Sequence, residues 1–231
     1  MNTDLQEAIK IYSTKTHKDL NSFLLDKSKN DIIAIFNDLL TTYINDKNSS
    51  TLREFITVLV SGYNHNEKKI GYNGYRQSSF DSTLEYCEVK PKNITSLDLE
   101  DYISGNKKTI NRLNAGGNFT DYTPERFEKD LKSNLNMLVS GFVDGKLIYI
   151  IEFPFSNEDF KKNLKAQLDN YFKEEKRETN HYLRSASFDF KDFLFCKDGI
   201  KINYLLNKKE LETYKTYFNS KFFEELAKYA K

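Results

Sequence analysis

Asp81, Glu88 and Lys90, in the segment SFDSTLEYCEVKPKN, combine two carboxylates with an amine over a short span. That combination suits attack of water on a phosphodiester. Carboxylates give magnesium the hard oxygen ligands it prefers, and a metal-bound water loses its proton more easily. A neighbouring lysine orients that water and adds positive charge where the transition state is negative. Leu84, Tyr86, Glu88 and Lys90 alternate with Thr83, Glu85, Cys87 and Val89, which predicts a strand stopped at Pro91. On such a strand Glu88 and Lys90 project from one face, about 6–7 Å apart. Asp81 precedes the strand and reaches the same point only through a kink near Ser82.

The elements that must position these residues are legible in outline. Helices are expected over 4–12, 17–26 and 30–47, the last from Ile32, Ile33, Ile35, Phe36, Leu39, Leu40 and Tyr43 at helical spacing. Residues 51–63 read as a buried helix or a strand, 64–80 as loop or hairpin, 97–104 as a short helix and 105–122 as a glycine- and asparagine-rich loop. Thr123 and Pro124 make a cap and first helical position for PERFEKDLKSNL. LVSGFVDGKLIYIIEF is a hairpin turning at Asp144-Gly145, and its second strand is apolar throughout, as in a sheet covered on both faces. The helix NEDFKKNLKAQLDNYFKEEKRE follows, then strands around 185–195 and 200–206 about a Lys197-Asp198-Gly199 turn, and a last helix over 208–230. The expected class is α/β, with α+β as the alternative: a central mixed sheet flanked by helices. With 231 residues and no linker, one domain is expected, mainly helical over 1–60 and with the core over 64–206.

Composition excludes several classes. The chain is 39% hydrophobic and 30% charged, which is ordinary for a globular fold and unlike a disordered one. Its apolar runs, such as LIYII, fall far short of the ~20 residues that span a bilayer, so no membrane partner is expected. The start, MNTDLQEAIK, lacks the cationic and apolar stretches of a signal peptide. Two cysteines, Cys87 and Cys196, make no disulfide framework, and a reducing cytoplasm is the expected compartment. A net charge of +1 does not announce a nucleic-acid coat, but a nuclease needs acids for its metal and can gather bases on one face.

Asp81, a gap, then Glu88-Val89-Lys90 resembles the PD-(D/E)xK nuclease superfamily, with Phe80 where the name's proline would stand. The stretch GNFTDYTPERFEKDLKSNLNMLVSGFVDGKLIYIIEFPF is similar to segments of type II restriction endonucleases. The resemblance implies a restriction-endonuclease-like core and a Mg2+ ion held by Asp81, Glu88 and the Val89 carbonyl. It implies Lys90 as the residue that places the water, and no organic cofactor. It further implies double-stranded DNA cut at a short, palindromic site by a homodimer. A repair or junction-resolving nuclease on the same scaffold, a non-catalytic DNA-binding module and a protein-interaction domain are the alternatives. Phosphate or base contacts would come from Lys68, Lys69, Arg76, Gln77 and Lys92, and from Lys107, Lys108 and Arg112 beside Asn111, Asn114 and Asn118. Glu54, Glu67 and Glu152 are further carboxylates such a site can recruit, with an ion pair as the simpler role. His65 lacks the partners of a ββα-metal site, and Gly71-Tyr72 with Gly74-Tyr75 lacks the second half of a GIY-YIG motif.

Overall fold

The periodic apolar residues near the start of the chain form α1 (Thr3–Thr14), α2 (His17–Leu25), α3 (Lys29–Asn45) and α4 (Ser50–Val60). Thr16 caps α2 reciprocally with Asp19. The ambiguous segment after residue 50 is therefore helical. The structure is a computed structural model describing residues 3–45, 50–66, 71–78, 81–173, 181–196 and 199–231. Lys68, Lys69 and Glu67, the end of the expected helix at 174–178, and Lys197-Asp198 lie outside the described residues.

Next come β1 (Asn64–His65), β2 (Gly74–Gln77), β3 (Leu84–Ile94), α5 (Ser96–Ile103), β4 (Gly117–Tyr122), α6 (Pro124–Lys132), β5 (Leu135–Val143) and β6 (Lys146–Pro154). The chain continues with α7 (Glu158–Lys173), β7 (Leu183–Phe188), β8 (Lys201–Leu205), α8 (Lys208–Thr213) and α9 (Ser220–Ala227). Six strands make one mixed sheet in the order β1-β2-β3-β5-β6-β8. β3 runs parallel to β5, and the other neighbours are antiparallel. The fold is thus α/β, a mixed sheet flanked by helices. β4 and β7 form a separate two-stranded ribbon.

The sheet is covered on both faces, which is why β5 and β6 are apolar along nearly their whole length. On one face Leu5, Ile9, Ile35, Phe55 and Val58 from the opening helices pack on Cys87, Val89, Leu138 and Ile150. On the other, an aromatic cluster includes Phe119, Phe153, Phe160, Phe188 and Phe193, with the Phe153 and Phe193 rings stacked at 4.0 Å. Asp144 and Gly145 turn the β5–β6 hairpin in left-handed conformations, φ 48° and 78°.

Several sequence expectations are corrected. Pro91 does not stop β3, which continues to Ile94. The Tyr86 N–H bonds toward β5, to the Asn134 carbonyl. Strand alternation therefore turns the nitrogens of Val89 and Pro91 to the opposite edge, where Pro91 costs no ladder bond. The glycine- and asparagine-rich segment ends in a strand, β4. β7 and β8 are not partners: Asp189 caps a short 3-10 turn at Phe190–Asp192, Phe190 and Phe193 enter the core, and β7 pairs with β4 instead. The last helix is broken because Leu113 bridges to Phe218, accepting from the Asn219 N–H and donating to the Tyr217 carbonyl. Asn219 then caps a new helix by accepting from the Phe222 N–H.

Candidate active site

β3 places Glu88 and Lys90 as alternation requires: on one face, with Lys90 Nζ donating to Glu88 Oε1 at 2.8 Å. Both are only partly accessible, 12% for the Glu88 side chain and 20% for Lys90. The lysine ammonium also lies 4.9 Å from the centre of the Phe119 ring, which restrains it further. Gly117 lies against the stem of Lys90, where a Cβ would meet Lys90 Cβ and Cγ at 2.8 Å. Only glycine lets β4 approach the lysine this closely.

β2 covers the edge of β3 only as far as the Gly74–Cys87 pair. Past that point the edge is open, and Asn73 takes the place of a strand. Its Oδ1 accepts the Val89 N–H at 2.8 Å, while its Nδ2 donates to Glu54 Oε2 on α4 at 3.1 Å. The Val89 carbonyl points to this same open edge, since a residue's N–H and C=O share a side of the strand. The edge opens into a groove of about 810 Å³ lined by Ser50, Glu54, Val89, Lys90, Pro91 and Lys92 on one side. Asn114, Gly116, Gly117, Asn118, Thr120 and Phe188 line the other. Lys92 donates to Asn114 Oδ1 at 3.1 Å, and burial pulls its ammonium below the usual lysine range.

Asp81 is not brought to this point. Ser78 N–H bonds the Thr83 carbonyl, so Asp81 sits at the tip of the β2–β3 hairpin with Ser82 in a left-handed conformation, φ 59°. At about 3.3 Å per residue, Leu84 alone is roughly 13 Å from Glu88 along the strand, and Asp81 lies beyond it. The kink near Ser82 exists, but it closes Asp81 onto Thr83: the carboxylate accepts from the Thr83 amide and hydroxyl at 3.2 and 2.8 Å. These bonds hold its pKa below the ordinary aspartate value.

The other expected residues divide. Arg76 is committed to Glu85 and Glu152 at 2.6 and 2.7 Å, and its guanidinium stacks on Tyr63 at 4.1 Å. Glu152 is buried, accepting also from Tyr63 Oη and Asn203 Nδ2. It is the centre of an ion-pair network rather than a groove residue. Gln77 donates to the Ser82 carbonyl at the hairpin tip. Lys107 pairs with Asp98 at 2.5 Å and holds the Asp98 carboxyl down to about 2. Lys108 is exposed, and Arg112 donates to the Thr216 carbonyl beside Tyr102. Of the expected DNA-contacting bases among the described residues, Lys92 is the one in the groove, with Asn114 and Asn118 from the neighbouring loop and strand.

One cluster left only a faint trace in the sequence. Asp130 on α6 is buried, accepting from Tyr72 Oη at 2.9 Å and Tyr122 Oη at 3.0 Å. Arg126 lies 3.9 Å away. Burial pushes the Asp130 carboxyl up, and the charge of Glu88 adds to the rise. Tyr72 is pushed up to about 12 by its own burial. The burial of Asp130 at the amphipathic period of PERFEKDLK was the available clue, but its partners lie 58 residues away at Tyr72 and eight away at Tyr122.

The oxygens by the open edge fit a hard cation in kind. Glu54 and the Val89 carbonyl line the groove, Glu88 adjoins it through its bond to Lys90, and magnesium is commonly held by one or two carboxylates with water and substrate phosphates completing its shell. Among the described residues there is no group of three or more His, Cys, Asp and Glu side chains placed to hold a metal, so any such site depends on backbone and substrate oxygens. No helix among the described residues is long and apolar enough to cross a membrane. The chain matches no protein-family model and no curated protein sequence.

Proposed function

We propose that this chain is a magnesium-dependent endonuclease that hydrolyses double-stranded DNA at a short specific site, with Glu88 and Lys90 at its centre. The observation that carries the reading is the Glu88–Lys90 pair, 2.8 Å apart beside an open strand edge whose groove adds Lys92 and several asparagines. Lys90 and Lys92 offset phosphate charge, and their fixed positions make that stabilisation preorganised. Lys90 Nζ, restrained by Glu88 and Phe119, orients the attacking water. Glu88, the Val89 carbonyl and Glu54 are the groups that would hold Mg2+, with Glu54 in the role that the sequence motif gives to Asp81. The ion supplies Lewis-acid polarisation of the phosphate and a more acidic water. A palindromic site is most simply matched by a two-fold homodimer, one groove to each strand.

The test is incubation with unmethylated phage DNA and Mg2+, read on a gel. Discrete fragments are expected. A smear, or cutting confined to branched DNA, supports a repair nuclease instead. Shifted but intact DNA supports a binding module, and DNA neither shifted nor cut overturns the proposal.

A further inference from the structure

The β4–β7 ribbon forms the wall of the groove opposite Glu54 and Ser50, and its two faces differ sharply. Phe119, Ala186 and Phe188 are buried in the aromatic core. The opposite face presents Asn118, Thr120, Ser185 and Ser187, all exposed, with Asn118 across from Ser187 and Thr120 across from Ser185. Asn118 and Thr120 themselves line the groove with Lys90 and Lys92. The ribbon is also rigidly held. Gln167 on α7 clamps the backbone of Ser187, its Nε2 donating to the carbonyl at 2.7 Å and its Oε1 accepting the N–H at 2.9 Å. Asn163 donates to the same carbonyl at 3.2 Å. At the same end Gly117, which pairs with Phe188, rests on the Lys90 stem.

We propose that this ribbon enters the DNA major groove and reads base edges, so that Asn118, Thr120, Ser185 and Ser187 determine the sequence cut at the Glu88–Lys90 site. The inference rests on the nuclease reading and adds to it the element of recognition. A B-form major groove admits a two-stranded ribbon, and its base edges offer neutral donors and acceptors. All four side chains are neutral, short and bifunctional. They match base edges, whereas phosphates call for the cations that line the groove below them. Asn118 gives one amide hydrogen to Ser185 Oγ at 3.2 Å. Its other hydrogen and its carbonyl oxygen remain, the pair that a bidentate contact to adenine requires. The Ser185 and Ser187 hydroxyls lie 3.5 Å apart and rotate to donate or accept. Because the ribbon touches Lys90, a base contact on this face fixes where the scissile phosphate falls.

The experiment selects duplexes from a randomised double-stranded library with the full chain in Ca2+, then compares wild type with Asn118→Ala, Ser185→Ala and the milder Thr120→Ser. The same proteins are assayed for cleavage in Mg2+ on the wild-type site and on its single-base variants. A single selected motif is expected for wild type. Each alanine variant should lose about 10- to 100-fold discrimination at one base pair, the scale of a single bidentate or hydroxyl contact. The salt dependence of binding should stay as in wild type, because no phosphate contact is removed. A wild type that binds DNA but selects no motif overturns the inference, as do alanine variants of the ribbon that select and cut the wild-type motif with unchanged discrimination. If wild type binds no DNA at all, the nuclease reading falls first and the inference with it. The folded state of each variant is checked by its melting temperature, and Thr120→Ser, which keeps the hydroxyl, should retain the motif.

Discussion

Two cation–carboxylate sites flank β3, and they differ in what they leave unused. Near the hairpin end, Arg76 lies between Glu85 and Glu152, and Glu152 also takes Tyr63 and Asn203, with Lys201 at 3.8 Å. Every strong acceptor direction on Glu152 is occupied, and the carboxylate is buried. Further along the strand, Glu88 has one hydrogen-bond partner among the described residues, Lys90, and Lys90 borders a groove. The first site is closed by its own side chains and acts as a structural clamp between β2, β3, β6 and β8. The second has donors and acceptors to spare at an open strand edge, which is what an incoming phosphate or hydrated cation requires. Charge alone would rank the Arg76 site higher. Unspent hydrogen-bonding capacity ranks them the other way.

That contrast is open to attack by mutation. Glu88→Ala should have the largest effect, lowering the cleavage rate by about 100- to 1,000-fold, the scale seen on removing one preorganised electrostatic group, while the melting temperature falls much less than in Arg76→Ala, because Lys90 borders the groove and regains water there. Arg76→Ala should do the reverse. Removing one partner from a buried pair costs about 3 kcal/mol, a fall in melting temperature near 10 °C for a chain of this size, with specific activity retained below the melt. Calorimetry and a cleavage assay on the two variants settle whether the sites have these opposite roles. Equal behaviour would dissolve the distinction.

A smaller, pH-dependent effect is expected from Asp130. Its carboxyl is raised by burial, so the native state holds a proton more tightly than the unfolded chain does. Wild-type stability relative to Asp130→Asn should therefore rise as pH falls from neutrality through the raised native value. The difference should level off below the ordinary aspartate value of 3.8. Urea melts across that range provide the check, and a flat difference would show that Asp130 titrates normally. Smallest of all, Asp81→Ala should leave cleavage within about twofold of wild type, since the residue serves its own turn and surface changes of this kind are usually worth ±0.5 kcal/mol. Loss of cutting in that variant would mean that the hairpin tip folds over the groove in the DNA complex.

What the sequence revealed followed from local rules. Period-two alternation put Glu88 and Lys90 on one face, Thr123-Pro124 began α6, and Asp144-Gly145 turned the hairpin between two buried strands. The misses came where a distant partner decided the outcome. Pro91 reads as a strand stop unless one knows that its nitrogen faces an uncovered edge. Arg76 reads as a free base until Glu152, 76 residues on, is seen beside it. The role of Asn73 as a surrogate strand between Glu54 and Val89, and that of the β4–β7 ribbon, are set by packing that no short window contains.

The central claim is that the Glu88–Lys90 edge is where phosphodiester bonds are broken. The most direct measurement is single-turnover cleavage in Mg2+ by wild type and Lys90→Ala, with DNA affinity of both measured in Ca2+, which permits binding while placing the water poorly. The account predicts loss of cleavage by Lys90→Ala, with affinity lowered by less than about tenfold, as for one phosphate contact among several. Cleavage by Lys90→Ala at the wild-type rate would contradict it.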